Sequence, residues 1–430
     1  MNWKFLGLAT LGISLLVQAL GAAAFVAMTD FKLIEQGDTA EYVTIADNLI
    51  AGRGYSGENV EPYRPTTSRG PGMLLVNIPF RLLFSESDLG AVVAAKLILL
   101  LAVGLTLYVA FYFEKSALVY LVAPILTVLP TIAYYFVNPY ASSPTLLLAM
   151  GAIYLSIVLI FQGRNFAFVL LTLASIYAIS SREAALLPLA WIIFGSLLFS
   201  FLHKSPEIRR YFRLISIAVL VGTSAFYFLW SYRNQITFGQ YQFSSIQGFN
   251  LLHASAYSML PYLDNEGRAE VEASLENYPI YITRYHESDQ LDIANQQGQE
   301  GTRLIRKYPA AFVMSHVVGT LRGLLIFDVD ILEEKLGEWA IVLVTLIQIA
   351  VTIIAIIGLV KLTLNLPTEK RLVLALIIGA GIVSLLSGAS FGEPRFRISL
   401  EPMMALGCVI FFKDFILPRI EARRAKISGT

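Results

Sequence analysis

Two kinds of residue in this sequence have the types and spacing to do chemistry. The first is a pair of carboxylates, Asp38 and Glu41, opening the stretch "GDTAEYVTIADNLIAGRGYS" (Gly37–Ser56). The second is a set of arginines at the expected junctions of apolar segments with polar ones. These are Arg69 in "SRGPG", Arg182 in "SSREAAL", Arg233 in "SYRNQITFG", and Arg395 with Arg397 in "GEPRFRIS". The planar fork of arginine matches a phosphate bidentately, and cations around a phosphate stabilise it as a leaving group. A carboxylate within hydrogen-bond reach of a hydroxyl serves as its general base. The set therefore holds the parts needed to move a group from a lipid-linked phosphate to a hydroxyl, with Asp38 as the candidate base.

Each part also has a purely structural reading. Asp38 fits an N-cap, and Glu41, three residues on, completes a capping box. On that reading Glu41→Gln is expected to be mild. Tyr42, Ile45, Ala46, Leu49 and Ile50 form one apolar helical face, which Gly52 or Gly54 ends. A capping carboxylate is held rigidly, so capping and catalysis are compatible. The arginines fit snorkelling to lipid headgroups or pairing with Glu183, Glu393 and Glu401. Five of them on one face favour a shared anionic ligand. For Arg395 and Arg397, an extended i, i+2 spacing puts both on one side, whereas a helical turn splays them.

The chain that positions these residues has 430 residues, 56% hydrophobic and 15% charged, with a mean hydropathy of +0.65. A soluble domain carries roughly 25% charged residues, so a bilayer is the expected solvent. The net charge of +1 gives no sign of nucleic-acid binding. Cys408 is the single cysteine, and the four histidines are scattered without metal-ligand spacing. No cofactor site is identified, and divalent-metal dependence stays open.

A span needs about 20 mostly apolar residues. Qualifying or near-qualifying runs are Phe5–Met28, Leu89–Phe113, Ala117–Phe136, Thr145–Phe161, Phe166–Ile179, Ala184–Leu202, Leu214–Trp230, Trp339–Val360, Leu372–Leu386 and Ile398–Phe412. The fold expected is an all-α polytopic membrane protein of about ten transmembrane helices. The first run reads either as a signal peptide cleaved near "GAAA" or as a retained anchor, and its apolar core, longer than the roughly 7–15 residues of a signal peptide, favours the anchor. The fifth is short and ends at "SSRE", as a helix stopping at a cavity would. Lys4, Lys115, Arg164, the cluster Lys204–Arg213, Lys361–Arg371 and the tail from Lys413 to Lys426 fall in alternate loops. By the positive-inside rule both termini are cytoplasmic and the long acidic loops lie outside. Tyr308–Phe327 is apolar enough to pass for a span. Crossing there would put "RIEARRAK" outside, so it is expected to lie in the interface. The organisation expected is a transmembrane half, 1–231, with a first outer loop at 29–88; a large outer loop with an interfacial helix, 232–338; and C-terminal helices with a basic tail, 339–430.

With that topology, "GDTAEYVTIADNLIAGRGYS" followed by "YRPTTSRGPGMLLVNIPF" resembles the first outer loop of the membrane type C glycosyltransferase superfamily, whose members include protein O-mannosyltransferases and lipid A aminoarabinose transferases. The resemblance rests on Asp38, Tyr42, "ADNLIAGRGYS" and "RGPG". It continues through "SREAALLPL", "WSYRNQITFGQYQFSSIQGFNLL" and "GEPRFRISLEPMMAL", in order from about residue 30 to 406. It implies inverting transfer of a sugar from a polyprenyl-phosphate donor at the non-cytoplasmic face of the inner or plasma membrane. Asp38 is then the first-loop base, with Glu41, Tyr42 and Asn234 in support. Arg69, Arg182, Arg233, Arg395 and Arg397 are then candidates for the donor phosphate.

Two departures matter. Many relatives carry a second carboxylate where this chain has "VNPYASSPTLLL", which puts a two-carboxylate or metal-assisted mechanism in doubt. The short C-terminal end leaves acceptor selection to Tyr232–Glu338, where "ENYPIYITRYHESDQ" offers tyrosines for sugar stacking or for packing. The partners expected are a polyprenyl-phosphate sugar, a hydroxyl acceptor on an envelope glycan, lipid or protein, and membrane lipids. The alternatives are a lipid-linked glycan flippase, against which Lys96 stands as the only Lys or Arg well inside a span, and an envelope glycan polymerase or ligase.

Overall fold

The structure, a computed structural model, describes residues 2–29, 37–84, 88–135, 142–278, 290–326 and 338–428, with the side chains of 22–29, 37–39, 84, 88–91, 94, 135, 142–143 and 427–428 left out. Its elements are helices joined by loops: α1 (Trp3–Thr29), α2 (Gly37–Ile50), α3 (Leu74–Phe84), α4 (Asp88–Phe113), α5 (Val122–Val128), α6 (Ser142–Phe161), α7 (Ala167–Ser181), α8 (Leu186–Leu202) and α9 (Pro206–Phe238). There follow α10 (Asn265–Asn277), α11 (Gln290–Lys307), α12 (Pro309–Leu325), α13 (Glu338–Asn365), α14 (Thr368–Ser387), α15 (Glu401–Phe411) and α16 (Leu417–Ser428).

Seven helices among the described residues are long and apolar enough to cross a membrane, those within α1, α4, α6, α8, α9, α13 and α14. Their outward side chains, such as Leu101, Phe194, Phe201, Leu346 and Ile353, are exposed. An apolar surface of that kind needs lipid around it, so this is an integral membrane protein. The other three expected spans are shorter or interrupted. Ala117–Phe136 is broken, because Leu129 turns to ψ 133° ahead of Pro130, as a residue before proline must. The fifth expected span is α7, of 15 residues. The tenth is α15, which continues through a π turn at Phe412–Ile416 into α16.

Where lipid offers no hydrophobic drive between helices, small residues let backbones approach. At the α13–α15 crossing, a side chain on Gly358 would meet the Gly407 carbonyl oxygen at 1.8 Å. The main core, drawn from the helices between α1 and α15, includes Leu99, Leu126, Ile153, Ile192, Phe212 and Leu406. A smaller core of Leu252, Ala256, Met259, Val271 and Leu304 joins α10 and α11 to the helical run Ile246–Tyr262.

Contacts sort the loops into two ends. Lys413 pairs with Glu114 at 2.7 Å, Lys370 donates to the Tyr112 carbonyl at 2.5 Å, and Lys4 lies 5.8 Å from the Tyr120 ring centre. These are segments that the lysine and arginine pattern assigns to one side. At the opposite end the loop Ala51–Met73 meets the ends of α7 and α9. There α9 runs past the expected boundary at Trp230, until Gly239 at φ +77° stops it, so Arg233 and Asn234 are helical.

Candidate functional site

The site begins on α2. Its 3.6-residue period turns Tyr42, Ile45 and Ala46 inward, all under 5% exposed. Leu49 is half-buried against the cluster of Ile45, Ala46 and Leu74, and Ile50, the last helical residue, is exposed. Asn48 anchors the following loop, donating to the carbonyls of Ser56 at 2.8 Å and Glu58 at 2.9 Å. Asp47 pairs with Arg81 of α3 at 2.6 Å, fixing α2 against its neighbour.

The helix starts at Gly37. The side chain of Asp38, and with it the capping box expected at Asp38 and Glu41, lies outside the described residues. Glu41 is buried, and its Oε2 accepts from Arg69 Nε at 2.6 Å while Oε1 accepts from the Ser68 hydroxyl. A buried carboxylate favours a guanidinium partner over a backbone cap that water would satisfy equally well. Glu41→Gln removes a carboxylate that pairs with Arg69, so a larger effect is expected than a capping role alone would give.

Arg69 is the next piece. Its guanidinium sits 5.3 Å from the Tyr42 ring centre. Its carbonyl accepts from the Tyr55 hydroxyl at 2.8 Å. Burial pushes the Tyr55 phenol well above its ordinary range, so it stays protonated as that donor. The "RGPG" turn then presses on the end of α7. A side chain at Gly70 would meet the Ser180 carbonyl oxygen at 2.1 Å, and one at Gly72 would meet Ser181 N at 2.5 Å. Gly70→Ala is therefore expected to displace Arg69 and to lower stability by about 1–3 kcal/mol, the usual cost of overpacking. The check is the melting temperature of the purified variant in detergent, which an undisturbed loop would leave at the wild-type value.

The end of α7 supplies Arg182, whose extended backbone (φ −156°, ψ 126°) closes the helix. Its guanidinium lies 4.4 Å from the Phe396 ring centre. Glu183 follows directly, opening a short 3₁₀ turn into α8. The third arm is the 3₁₀ turn Pro394–Arg397. It brings Arg395 within 5.3 Å of the same Phe396 ring and pairs it with Glu393 at 2.6 Å.

These three arms enclose a cavity of about 140 Å³, lined by Tyr42, Arg69, Arg182, Glu183, Arg395 and Phe396, and closed on a further side by Ile246, Phe249 and Asn250. It exceeds several-fold the roughly 30 Å³ share of one water. Among the described residues the lining carries three guanidinium groups and one carboxylate, a set that can meet an anion.

The other sequence-selected residues lie elsewhere. Arg397 points away from Arg395, because residues two apart in a 3₁₀ turn lie about 120° apart around its axis. It is fully buried, donating to Glu401 at 2.9 Å and to the carbonyls of Gly323 at 2.8 Å and Leu324 at 3.0 Å. It ties the end of α12 to the start of α15. Arg233 donates to the Thr66 carbonyl at 3.1 Å and to Asn234 Oδ1 at 2.8 Å, with its guanidinium against Tyr55 and Trp230. Asn234 in turn donates to the carbonyls of Gln242 and Phe243. Arg233 and Asn234 brace the loop that carries Arg69 but do not line the cavity. Sequence reasoning treated Glu183 only as a counter-ion for its arginine neighbour and missed its place in the cavity wall. Among the described residues, no three His, Cys, Asp or Glu side chains stand together as a metal site.

No family model and no curated protein matches this chain. Among solved structures it is similar to ArnT from Cupriavidus metallidurans bound to undecaprenyl phosphate, at 14% identity over 95% of this chain and 77% of that one, with a TM-score of 0.42. The apo state of the same protein gives 14% identity over 87% and 73%, with a TM-score of 0.37.

Proposed function

We propose that the protein is an inverting membrane glycosyltransferase that takes a sugar from a polyprenyl-phosphate donor and passes it to a hydroxyl of a cell-envelope glycan, lipid or protein. The observation that carries this reading is the convergence of Arg69, Arg182 and Arg395 from three separate chain segments on one cavity at the end of a bundle of apolar helices. In the reaction, the bond from the anomeric carbon to the donor phosphate breaks and a bond to the acceptor oxygen forms. The acceptor hydroxyl gives up its proton to a base, and the polyprenyl phosphate leaves with one more negative charge. Fixed guanidinium groups stabilise that charge as it develops, with no reorganisation at the moment of transfer. The apolar helix surface holds the polyprenyl tail. A single displacement inverts the anomeric centre.

On this reading the cavity faces the non-cytoplasmic side of the inner or plasma membrane and both termini are cytoplasmic. The basic segments around Lys4, Lys370 and Lys413, gathered at the far end from Arg69, support it. Reporter fusions at Leu366 and after Thr430 are expected to read cytoplasmic. A periplasmic signal at either position overturns the ten-span arrangement. The function itself is tested by mass spectrometry of polyprenyl-phosphate sugars in cells lacking the protein. One such lipid should accumulate, and an unchanged lipid pool contradicts the reading.

A further inference from the structure

We propose that Glu183 is the catalytic residue that accepts the proton of the acceptor hydroxyl, an inference that rests on the glycosyltransferase reading above. The sequence singles out Asp38 for that role; the cavity wall supplies a carboxylate of its own. Glu183 Oε2 is shielded from solvent and no described residue donates to it in full hydrogen-bond geometry, although the Ser244 hydroxyl approaches the carboxylate closely enough to act on it. A buried carboxylate oxygen without a donor is costly, so a site that keeps one has a use for it. Glu183 is one of the residues lining the same cavity as Arg69, Arg182 and Arg395.

The charges around Glu183 fit the proton transfer. Arg69 and Arg182 act on it electrostatically, and Ser244 is its hydroxyl neighbour. Arg395 and Tyr42 line the same cavity. Glu41 and Glu393 lie behind the arginines, each held in an ion pair. Before transfer the cavity holds a donor phosphodiester of one negative charge and an ionised Glu183. After transfer the phosphate carries two negative charges and Glu183 has taken the hydroxyl proton, so it is neutral. The total charge facing the three arginines is unchanged. The carboxylate that would repel the product phosphate is neutralised in the same step that creates the charge.

The test uses the full-length protein in membranes prepared from cells lacking it, which supply both donor and acceptor, and follows release of polyprenyl phosphate. Binding of polyprenyl phosphate alone is measured in parallel. Glu183→Gln is expected to slow release by about 10²–10⁴-fold while polyprenyl phosphate binds at least as tightly as to wild type, because the charge that opposes it is gone. The wild-type rate should rise with pH as Glu183 ionises, and that acidic limb should vanish in Glu183→Gln. Glu183→Asp should keep part of the rate and a shifted limb, which covers the case where the amide variant folds poorly. If Glu183→Gln keeps both rate and limb while Asp38→Asn loses them, Glu183 is not the base, although the cavity keeps its donor role. If the wild-type protein neither binds polyprenyl phosphate nor releases it, the glycosyltransferase reading falls and this inference with it.

Discussion

Arg397→Ala is expected to cost about 3–5 kcal/mol of stability, because it leaves the carboxylate of Glu401 buried without its partner. Both side chains are fully inaccessible, and the guanidinium also satisfies the carbonyls of Gly323 and Leu324 at the end of α12. Such a loss is a large part of the margin of a typical domain, so the variant should be recovered poorly or melt well below wild type. The defect should follow the broken pair and not the missing charge as such. Replacing Arg397 and Glu401 together by apolar residues of similar volume should recover much of the stability, since a buried pair is often replaceable at little cost. A single variant with wild-type melting would remove the structural role assigned to Arg397.

Arg395→Lys, two residues away, should do the reverse. Arg395 lines the cavity and is partly accessible, so the protein should fold and melt near wild type. Affinity for polyprenyl phosphate should fall by about 1.5–3 kcal/mol, the scale of a hydrogen bond to a charged group, which is about 10–150-fold in Kd. Lysine offers a point charge where arginine offers a planar fork, so the substitution tests geometry at constant charge. Arg182→Lys should behave alike and should also loosen the stacking on Phe396. A guanidinium that merely snorkels to headgroups would tolerate lysine. Unchanged affinity in both variants would therefore favour that account.

The contrast between Arg395 and Arg397 shows where sequence reading stops. The sequence places both at a helix junction and allows either geometry. The choice lies in the 3₁₀ turn Pro394–Arg397, which sends one guanidinium to the cavity and the other into the interior. Glu41 is a similar case. Its spacing from Asp38 fits a capping box, but the partner that claims it, Arg69, is 28 residues further on. Local propensity cannot register a contact of that range. Glu183 was visible as a charge but not as a cavity residue, because that depends on the "RGPG" turn packing against the end of α7. The long apolar helices were legible because the bilayer leaves the backbone no other way to satisfy its hydrogen bonds. The inward face of α2 was legible as far as Ala46, since a helical period with a buried side needs no knowledge of what covers it. The break at Leu129–Pro130 and the early stop of α7 left weaker marks, a proline in one case and "SSRE" in the other.

The central claim, that the cavity of Arg69, Arg182 and Arg395 holds the lipid phosphate, is tested most directly by photo-crosslinking. The probe is a polyprenyl phosphate carrying a photoreactive group beside the phosphate, applied to the purified protein in lipid nanodiscs. The label should map to the segments around Arg69, Arg182 and Arg395, and unlabelled polyprenyl phosphate should compete it away while uncharged polyprenol does not. Labelling confined to the lipid-facing surfaces of the long helices, or equal competition by polyprenol, would contradict the claim.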